Sequence, residues 1–357
     1  MSASTKPLSV VVAGGGTAGH IEPALAVAEA LVERHGAQVT ALGTRRGLER
    51  DLIPARGFQL ELIDPVPVPR RPSLDLLKLP FRMVNAVRQA RAVLQRTGAD
   101  ALIGFGGYVS APAYLAARSL GIPFFVHEAN ARAGLANKLG QKLGATSFNA
   151  VADSGMPGEV VGIPVRAGLR HLDHDAAVAR ARETWGLDER KTLLVTGGSQ
   201  GAVRLNEAVA GGVEKLTENY QVLHAYGKRN TAPQGRDHYV AVPYIDDMAA
   251  AYAVADLIVC RSGAMTVAEV TASGLPAVYV PLPHGNGEQA LNATSVVEAG
   301  AARLVPDAEL TPERLVAEVT AILGEDEQRQ AMQAAAREHA AGDAAVTLAD
   351  AIAAAVE

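Results

Sequence analysis

The chain of 357 residues carries one cysteine, Cys260, and that scarcity already excludes two classes of protein. A lone thiol forms no intrachain disulfide framework and leaves a Cys-based metal centre short of ligands, so a reducing compartment is expected. Aromatic residues make up only 4% of the chain, too few for the stacking platforms of an RNA-binding surface. Neither sign of charge dominates. The formal charge is -5, which exerts no whole-chain pull toward nucleic acid. Long apolar runs are missing too: Met1 to Pro7 holds one lysine and no apolar stretch, and the run that starts at Leu8 stops at Gly14. Neither a secretory signal nor a transmembrane helix is therefore expected. No H-E-x-x-H, Cys/His cluster or D-x-D marks a metal-binding core.

What the chain does have is 48% hydrophobic residues and a repeating order of apolar runs and glycines. Its length exceeds one typical domain of roughly 150 residues and suggests two. Leu8 to Ala13 reads as a buried strand, Gly14 to Gly19 as a turn, and Pro23 to Arg34 as a helix with apolar residues at helical spacing. Further strands are expected at Gln38 to Leu42, Ala101 to Gly104 and Pro123 to His127. Near Val161 to Arg166 the order changes. A second strand and glycine turn then open at Thr192 to Thr196 and Gly197-Gly198-Ser199-Gln200-Gly201, followed by strands at Gln221 to His224, Tyr239 to Val242, Leu257 to Cys260 and Ala277 to Val280. This alternation implies an α/β fold with parallel sheets, most simply two Rossmann-like domains. Residues 1–165 are expected to form the first and 166–340 the second, with 341–357 a helix packing back on the first.

Gly14, Gly16 and Gly19 satisfy G-x-G-x-x-G between a strand and a helix, the fingerprint of a dinucleotide site. Glycines let a phosphate or sugar approach the backbone, and a helix N-terminus favours an anion by about 0.3 to 1 kcal/mol. The second strand, however, ends in Gly43-Thr44-Arg45-Arg46 without the Asp or Glu that would hold the ribose of NAD, although the arginines leave NADP open. His20 follows the last glycine, where it either deprotonates a hydroxyl or only hydrogen-bonds a loop. In the second half, Cys260-Arg261-Ser262-Gly263-Ala264-Met265-Thr266 puts small residues and backbone donors at another helix start, suited to a diphosphate. Glu269 either accepts both ribose hydroxyls or is an ordinary solvated carboxylate. The stretch Pro283 to Asn292 clusters amides that read sugar hydroxyls or simply close a polar loop, and Arg166 and Ser199 are natural diphosphate contacts.

One stretch departs from the acidic average. Arg70, Arg71, Lys78, Arg82, Arg88, Arg91 and Arg96 stand against the single acid Asp75, interleaved with Leu74, Leu76, Leu77, Leu79, Phe81 and Met83. Such a stretch forms either an exposed apolar patch ringed by cations, suited to an anionic bilayer, or a helix with its leucines in a core. Leu76, Leu79, Phe81, Arg82 and Arg88 are the candidates for membrane contact.

Taken in order, the motifs are G-G-G-T-A-G-H-I-E-P-A at Gly14, G-F-G-G-Y-V-S-A-P at Gly104, H-E-A-N at His127, G-I-P-V-R at Gly162, G-G-S-Q-G-A at Gly197, Y-I-D-D-M at Tyr244, C-R-S-G-A-M-T-V-A-E at Cys260 and E-Q-A-L-N at Glu288. Nearly end to end, this series resembles the MurG family of glycosyltransferases, which convert lipid I to lipid II in peptidoglycan synthesis. The resemblance implies a glycosyltransferase B fold, two Rossmann-like domains with a deep interdomain cleft, the C-terminal one holding the UDP-sugar and the N-terminal one meeting the lipid acceptor. It implies that Ile245 meets uracil through its backbone, Glu269 the ribose, Ser199, Arg166 and the backbone of Ala264, Met265 and Thr266 the diphosphate, and Gln289 and Asn130 the GlcNAc. Thr17, Ala18 and Gly19 would line the cleft, with His20 the first candidate base and Glu128 the second. Two positions depart from the family pattern: Ala18 adds a methyl where T-G-G-H is commoner, and Glu288 stands at a position the family varies.

The implied reaction is inverting transfer of GlcNAc from UDP-GlcNAc to the C4 hydroxyl of MurNAc in undecaprenyl-pyrophosphoryl-MurNAc-pentapeptide (lipid I), giving lipid II and UDP. With helix N-termini and Arg166 to stabilise the diphosphate, no cofactor or metal is obligatory, and a divalent cation is optional. Expected partners are UDP-GlcNAc, lipid I, an anionic membrane surface and cell-wall or division proteins, with no nucleic acid. The expected place is the cytoplasmic side of the cell membrane, as a peripheral protein. Three other readings are compatible with the same sequence: an NADP-dependent oxidoreductase, a UDP-sugar epimerase on the same fold, and a non-catalytic membrane-associated scaffold.

Overall fold

The computed structural model describes residues 6–45, 47–67, 75–170, 172–198, 201–283, 287–340 and 342–356, with side chains for all of them except 75–77 and 170. The chain divides into two compact units, Met1–Ala167 together with Gly342–Glu357, and Gly168–Ala341. Arg166, expected to open the second domain, therefore lies in the first unit.

In the first unit seven strands, β1 (Ser9–Gly14), β2 (Gln38–Thr44), β3 (Gln59–Ile63), β4 (Ala101–Gly106), β5 (Phe124–Glu128), β6 (Thr146–Asn149) and β7 (Glu159–Val160), form one parallel sheet in the order β3-β2-β1-β4-β5-β6-β7. Strand β1 shows why: its six residues are all buried, and alternate side chains enter different cores. Val10 and Val12 pack with Val27, Leu31 and Ile103, whereas Val11 and Ala13 pack with Leu102, Ala113 and Val126. A strand covered on both faces has no polar side to show, hence the unbroken apolar run.

The helix expected from Pro23 begins earlier, at Ala18, with Thr17 as N-cap, and runs to His35. Pro23 is not its first residue but sits in its second turn, and His20 falls in the first. The C-terminal helix Ala344–Ala354 packs on this one: Leu348, Ala349 and Ile352 join its core, and Asp350 accepts hydrogen bonds from Arg34 at 2.9 Å and from the His35 ring at 2.8 Å.

The second unit repeats the plan with β8 (Thr192–Thr196), β9 (Gln221–Ala225), β10 (Tyr239–Val242), β11 (Leu257–Cys260), β12 (Ala277–Tyr279) and β13 (Ala302–Leu304), parallel in the order β10-β9-β8-β11-β12-β13. Leu193, Val195, Val222, Val259 and Val278 form the core on one face with helices Val203–Leu216 and Pro312–Leu323. In both sheets strand order reverses beside the first strand of the unit, between β1 and β4 and between β8 and β11. Such a reversal opens a crevice at the carboxyl ends of the strands, the usual ligand position in an open parallel sheet.

Candidate functional site

Gly14 to Gly16 and His20, at the end of β1 and just after it, and Gly197 and Arg261, after β8 and β11, lie at these two switch points. At the end of β1 the chain turns through Gly14, Gly15 and Gly16, the last at φ 88°. Gly107, at φ 80°, follows β4 and brings its backbone against the Gly15 carbonyl so closely that a β-carbon there would collide. Thr17 and Ala18 are exposed, and Gly19 and His20 half-buried. The His20 ring folds back on its own turn, with Nδ1 3.2 Å from the Gly15 carbonyl and 3.3 Å from the Thr17 hydroxyl. A carbonyl only accepts, so Nδ1 carries the hydrogen, and in the neutral ring Nε2 is left as the basic nitrogen. It lies beside Gly106, where a β-carbon would come within 3.1 Å of it.

Behind the turn sits Glu49, fully buried. Its Oε1 accepts from the Thr44 N–H at 2.8 Å and the Thr44 hydroxyl at 2.7 Å, and its Oε2 accepts from the Gly16 N–H at 3.0 Å. Burial raises its pKa, but the hydrogen bonds from Thr44 and Gly16 outweigh it and hold the carboxyl below the ordinary range. The Gly16 amide, which in a dinucleotide fold faces a pyrophosphate, thus already serves an anion of the chain itself. That takes away the main support for the oxidoreductase reading.

At the end of β5 two buried residues hold the next loop. Glu128 accepts from the Asn130 N–H (2.9 Å), the Asn130 amide (3.0 Å), the Gly134 N–H (2.9 Å) and the Asn137 amide (2.9 Å). Four donors fill the acceptor sites of a carboxylate, so its lone pairs are spent on the loop. Asn137 in turn accepts from the Tyr114 hydroxyl at 3.0 Å, and its amide nitrogen would stand 3.6 Å from a β-carbon on Gly106. His127 is completely buried, and burial pushes its pKa down to about 4. Its Nε2–H donates to the Gly162 carbonyl at 2.8 Å, tying β5 to the segment that leads to half-buried Arg166.

In the second unit a cavity of about 620 Å³ opens after β8 and β11, bordered by Gly197, Gly201, Arg261, Gln289 and Asp307. Arg261 is fastened to its wall: Nη1 donates to Asp307 at 2.6 Å and to the Val280 carbonyl at 3.0 Å. Gln289 accepts from the Leu282 N–H at 2.9 Å. Helix Ala264–Ala272 follows β11 with Gly263 as N-cap and no side-chain cap, so the half-buried Ala264, Met265 and Thr266 present the amides of a helix N-terminus. Glu269 is not a solvated carboxylate: it is buried and accepts from the Tyr252 hydroxyl at 3.1 Å. Ile245 is buried in the loop between β10 and helix Met248–Val254. Ser199 lies outside the described residues, as does the side chain of Leu76.

The basic stretch becomes helix Asp75–Thr97, and one expectation for it is corrected. Leu79 and Met83 pack against the core of the first unit rather than forming an exposed patch. Phe81, 79% exposed, and Val84 face outward with exposed Arg88, while Arg82 is half-buried. No helix among the described residues is long and apolar enough to cross a membrane. Glu49, Asn137, Tyr252 and Asp307 were not legible beforehand, because each gains its role from a partner that folding delivers.

Two family models match the chain, the glycosyltransferase family 28 N-terminal domain over residues 10–147 and the family 28 C-terminal domain over residues 192–348, which defines the class. A transferase of Corynebacterium efficiens is 67% identical over 99% of both chains and bears the name UDP-N-acetylglucosamine–N-acetylmuramyl-(pentapeptide) pyrophosphoryl-undecaprenol N-acetylglucosamine transferase. The crystal structure of MurG from Acinetobacter baumannii superimposes with a TM-score of 0.77 at 32% identity, covering 98% of this chain and 100% of that one. The chain belongs to this MurG family of N-acetylglucosaminyltransferases. A UDP-GlcNAc 2-epimerase from Neisseria meningitidis, bound to UDP-GlcNAc, shares the fold at a TM-score of 0.70 with only 16% identity, over 97% of this chain and 100% of that one. That likeness speaks for the fold alone.

Proposed function

We propose that the chain transfers GlcNAc from UDP-GlcNAc to the C4 hydroxyl of MurNAc in lipid I by one inverting displacement, giving lipid II and UDP. The observation that carries the chemistry is the contact of His20 Nδ1 with the Gly15 carbonyl at 3.2 Å, which assigns the ring hydrogen to Nδ1 and leaves Nε2 as the basic nitrogen at the β1/β4 switch point. In this reading the C4 hydroxyl gives its proton to Nε2 as its oxygen bonds the anomeric carbon. The bond from that carbon to the diphosphate breaks on the opposite face, and UDP leaves with the electron pair.

The remaining roles follow the family resemblance. Ala264, Met265 and Thr266, with Arg166 and Ser199, receive the diphosphate charge; a helix N-terminus is suited to that task without an obligatory metal. Glu269 takes the ribose, Ile245 the uracil, and Gln289 and Asn130 the sugar, while Thr17, Ala18 and Gly19 line the approach. Glu128 we assign to holding Asn130 rather than to proton transfer, since its acceptor sites are filled. Phe81, Arg82 and Arg88, with Leu76, bring the chain to the cytoplasmic face of an anionic membrane, where cell-wall or division proteins are further partners.

Transfer of labelled GlcNAc from UDP-GlcNAc to a soluble lipid I analogue, with the linkage read by NMR, tests the proposal. A β1,4-linked disaccharide is expected. Release of a free epimerised sugar without acceptor would favour the epimerase, and neither transfer nor UDP-GlcNAc binding would sink the reading.

A further inference from the structure

The Gly15 carbonyl and the Gly16 N–H belong to one peptide unit. On its carbonyl side that unit accepts from His20 Nδ1–H at 3.2 Å, and on its N–H side it donates to Glu49 Oε2 at 3.0 Å. We propose that Glu49 is a positioning residue for the transfer: acting through the Gly15–Gly16 peptide, it fixes the tautomer of His20 and strengthens Nε2 as a base. This rests on the reading of His20 as the base.

Three physical effects combine at this peptide. A carboxylate that accepts from a peptide N–H polarises the peptide and makes its carbonyl a better acceptor, because hydrogen bonds in a chain reinforce one another. A better acceptor at Nδ1 secures the Nδ1–H tautomer and favours the positive ring that forms when Nε2 takes a proton. The arrangement does the work of a carboxylate bonded directly to an imidazole, with one peptide interposed. Second, the carboxylate is ionised and held in place, since Thr44 supplies two donors to Oε1 and the hydrogen bonds keep its pKa low.

Third, the space for it is built. A β-carbon on Gly15 would stand 2.9 Å from Glu49 Oε1, one on Gly43 2.7 Å from its Cγ, and one on Gly47 would collide with Oε2. Three glycines leave the room that one carboxylate fills. Among the described residues nearby, Glu22 pairs with Arg56 at 3.1 Å and Arg45 with Asp64 at 3.6 Å, and Arg50 and Asp51 are exposed. Glu128 is directed to the loop of Asn130 and approaches this turn only through Asn137.

The test uses the full chain. Long-range nitrogen–proton NMR of histidine-labelled protein reads the His20 tautomer, assigned by the signal lost in His20→Ala. The Nδ1–H form is expected, the Nε2–H form overturns the proposal, and this measurement stands whether or not any Glu49 variant folds. In Glu49→Gln, kcat should fall about tenfold, the lower end of what losing a partner that orients a functional side chain costs. The KM for UDP-GlcNAc should hold, and the acid limb of the kcat profile should move to lower pH, since the lost charge no longer favours the imidazolium. A fall in kcat with the acid limb in place would make Glu49 merely structural and overturn the proposal, as would full activity. His20→Ala separates the two readings. If it leaves kcat intact, His20 is not the base and the relay falls with it; if it abolishes turnover while Glu49→Gln keeps the wild-type profile, His20 stands and only the relay falls.

Discussion

His20 and Glu128 were both candidate bases in the sequence, and their surroundings separate them. The His20 ring spends one nitrogen on its own turn and keeps the other basic, whereas Glu128 spends both oxygens on four donors. His20→Ala should therefore lower kcat by roughly a hundredfold to ten-thousandfold, the scale of general-base catalysis, while UDP-GlcNAc affinity measured by calorimetry stays near that of the unaltered chain. Unchanged turnover would remove His20 from the role. Glu128→Ala should act differently: it leaves two backbone N–H groups and two side-chain amides without their acceptor, so thermal unfolding should show a loss of about 2 kcal/mol or more. An unshifted melting curve would mean that the loop does not depend on it. Gly14 and Gly16 were legible because the turn demands their type, a β-carbon on Gly14 meeting the His20 carbonyl and Gly16 lying at φ 88°, whereas Gly19 falls inside the helix, where nothing requires a glycine; Glu49 was not legible, since nothing in G-T-R-R-G-L-E tells that its carboxylate will be buried against an amide 33 positions earlier.

Elements were legible to the degree that they are buried on both faces. Thr192–Thr196, Tyr239–Val242 and Leu257–Cys260 fall where the apolar runs put them, and β1, β2, β4 and β5 differ from expectation by a residue or two at an end. The strands not foreseen are β3, β6, β7 and β13, which are half-exposed or polar or only two or three residues long; pairing with a neighbour already in place makes them strands. Helix Asp75–Thr97 shows the same limit. Its composition suited core and membrane alike, and the fold sends Leu79 and Met83 inward and Phe81 and Arg88 outward. If this face meets an anionic bilayer, Arg88→Ala should weaken sedimentation with vesicles containing phosphatidylglycerol about fivefold, as expected from about 1 kcal/mol per cation near the surface, and Phe81→Ser should weaken it further. Equal binding of both variants would take the helix out of that role.

The two units share more than sheet order: each carries one buried, neutral histidine on a sheet strand, His127 in β5 and His224 in β9. Burial pushes both down to about 4. His127 donates to the Gly162 carbonyl, and His224 sits between the Tyr239 hydroxyl at 2.8 Å and Asn206 Oδ1 at 3.0 Å, so both are held by partners suited to the uncharged ring. In the unfolded chain each ring takes its proton near 6.5. Between about 4 and 6.5 the unfolded state therefore binds more protons, and stability rises with pH across that window and is lost as pH falls through it. The full linkage is of the order of 3 kcal/mol for each ring, large against the 5–15 kcal/mol of a typical domain. Glu49, whose carboxyl is held low in the folded state, adds a loss in the same direction at more acid pH. Calorimetric scans from pH 7.5 to 4.5 should thus show the melting temperature falling steadily below about 6.5, and where the two units melt separately both transitions should move. Because the pressure comes from a ring in each sheet, a fall confined to one transition would mean that the other histidine takes its proton as readily in the folded unit as in the unfolded chain, and a flat profile would mean that both do.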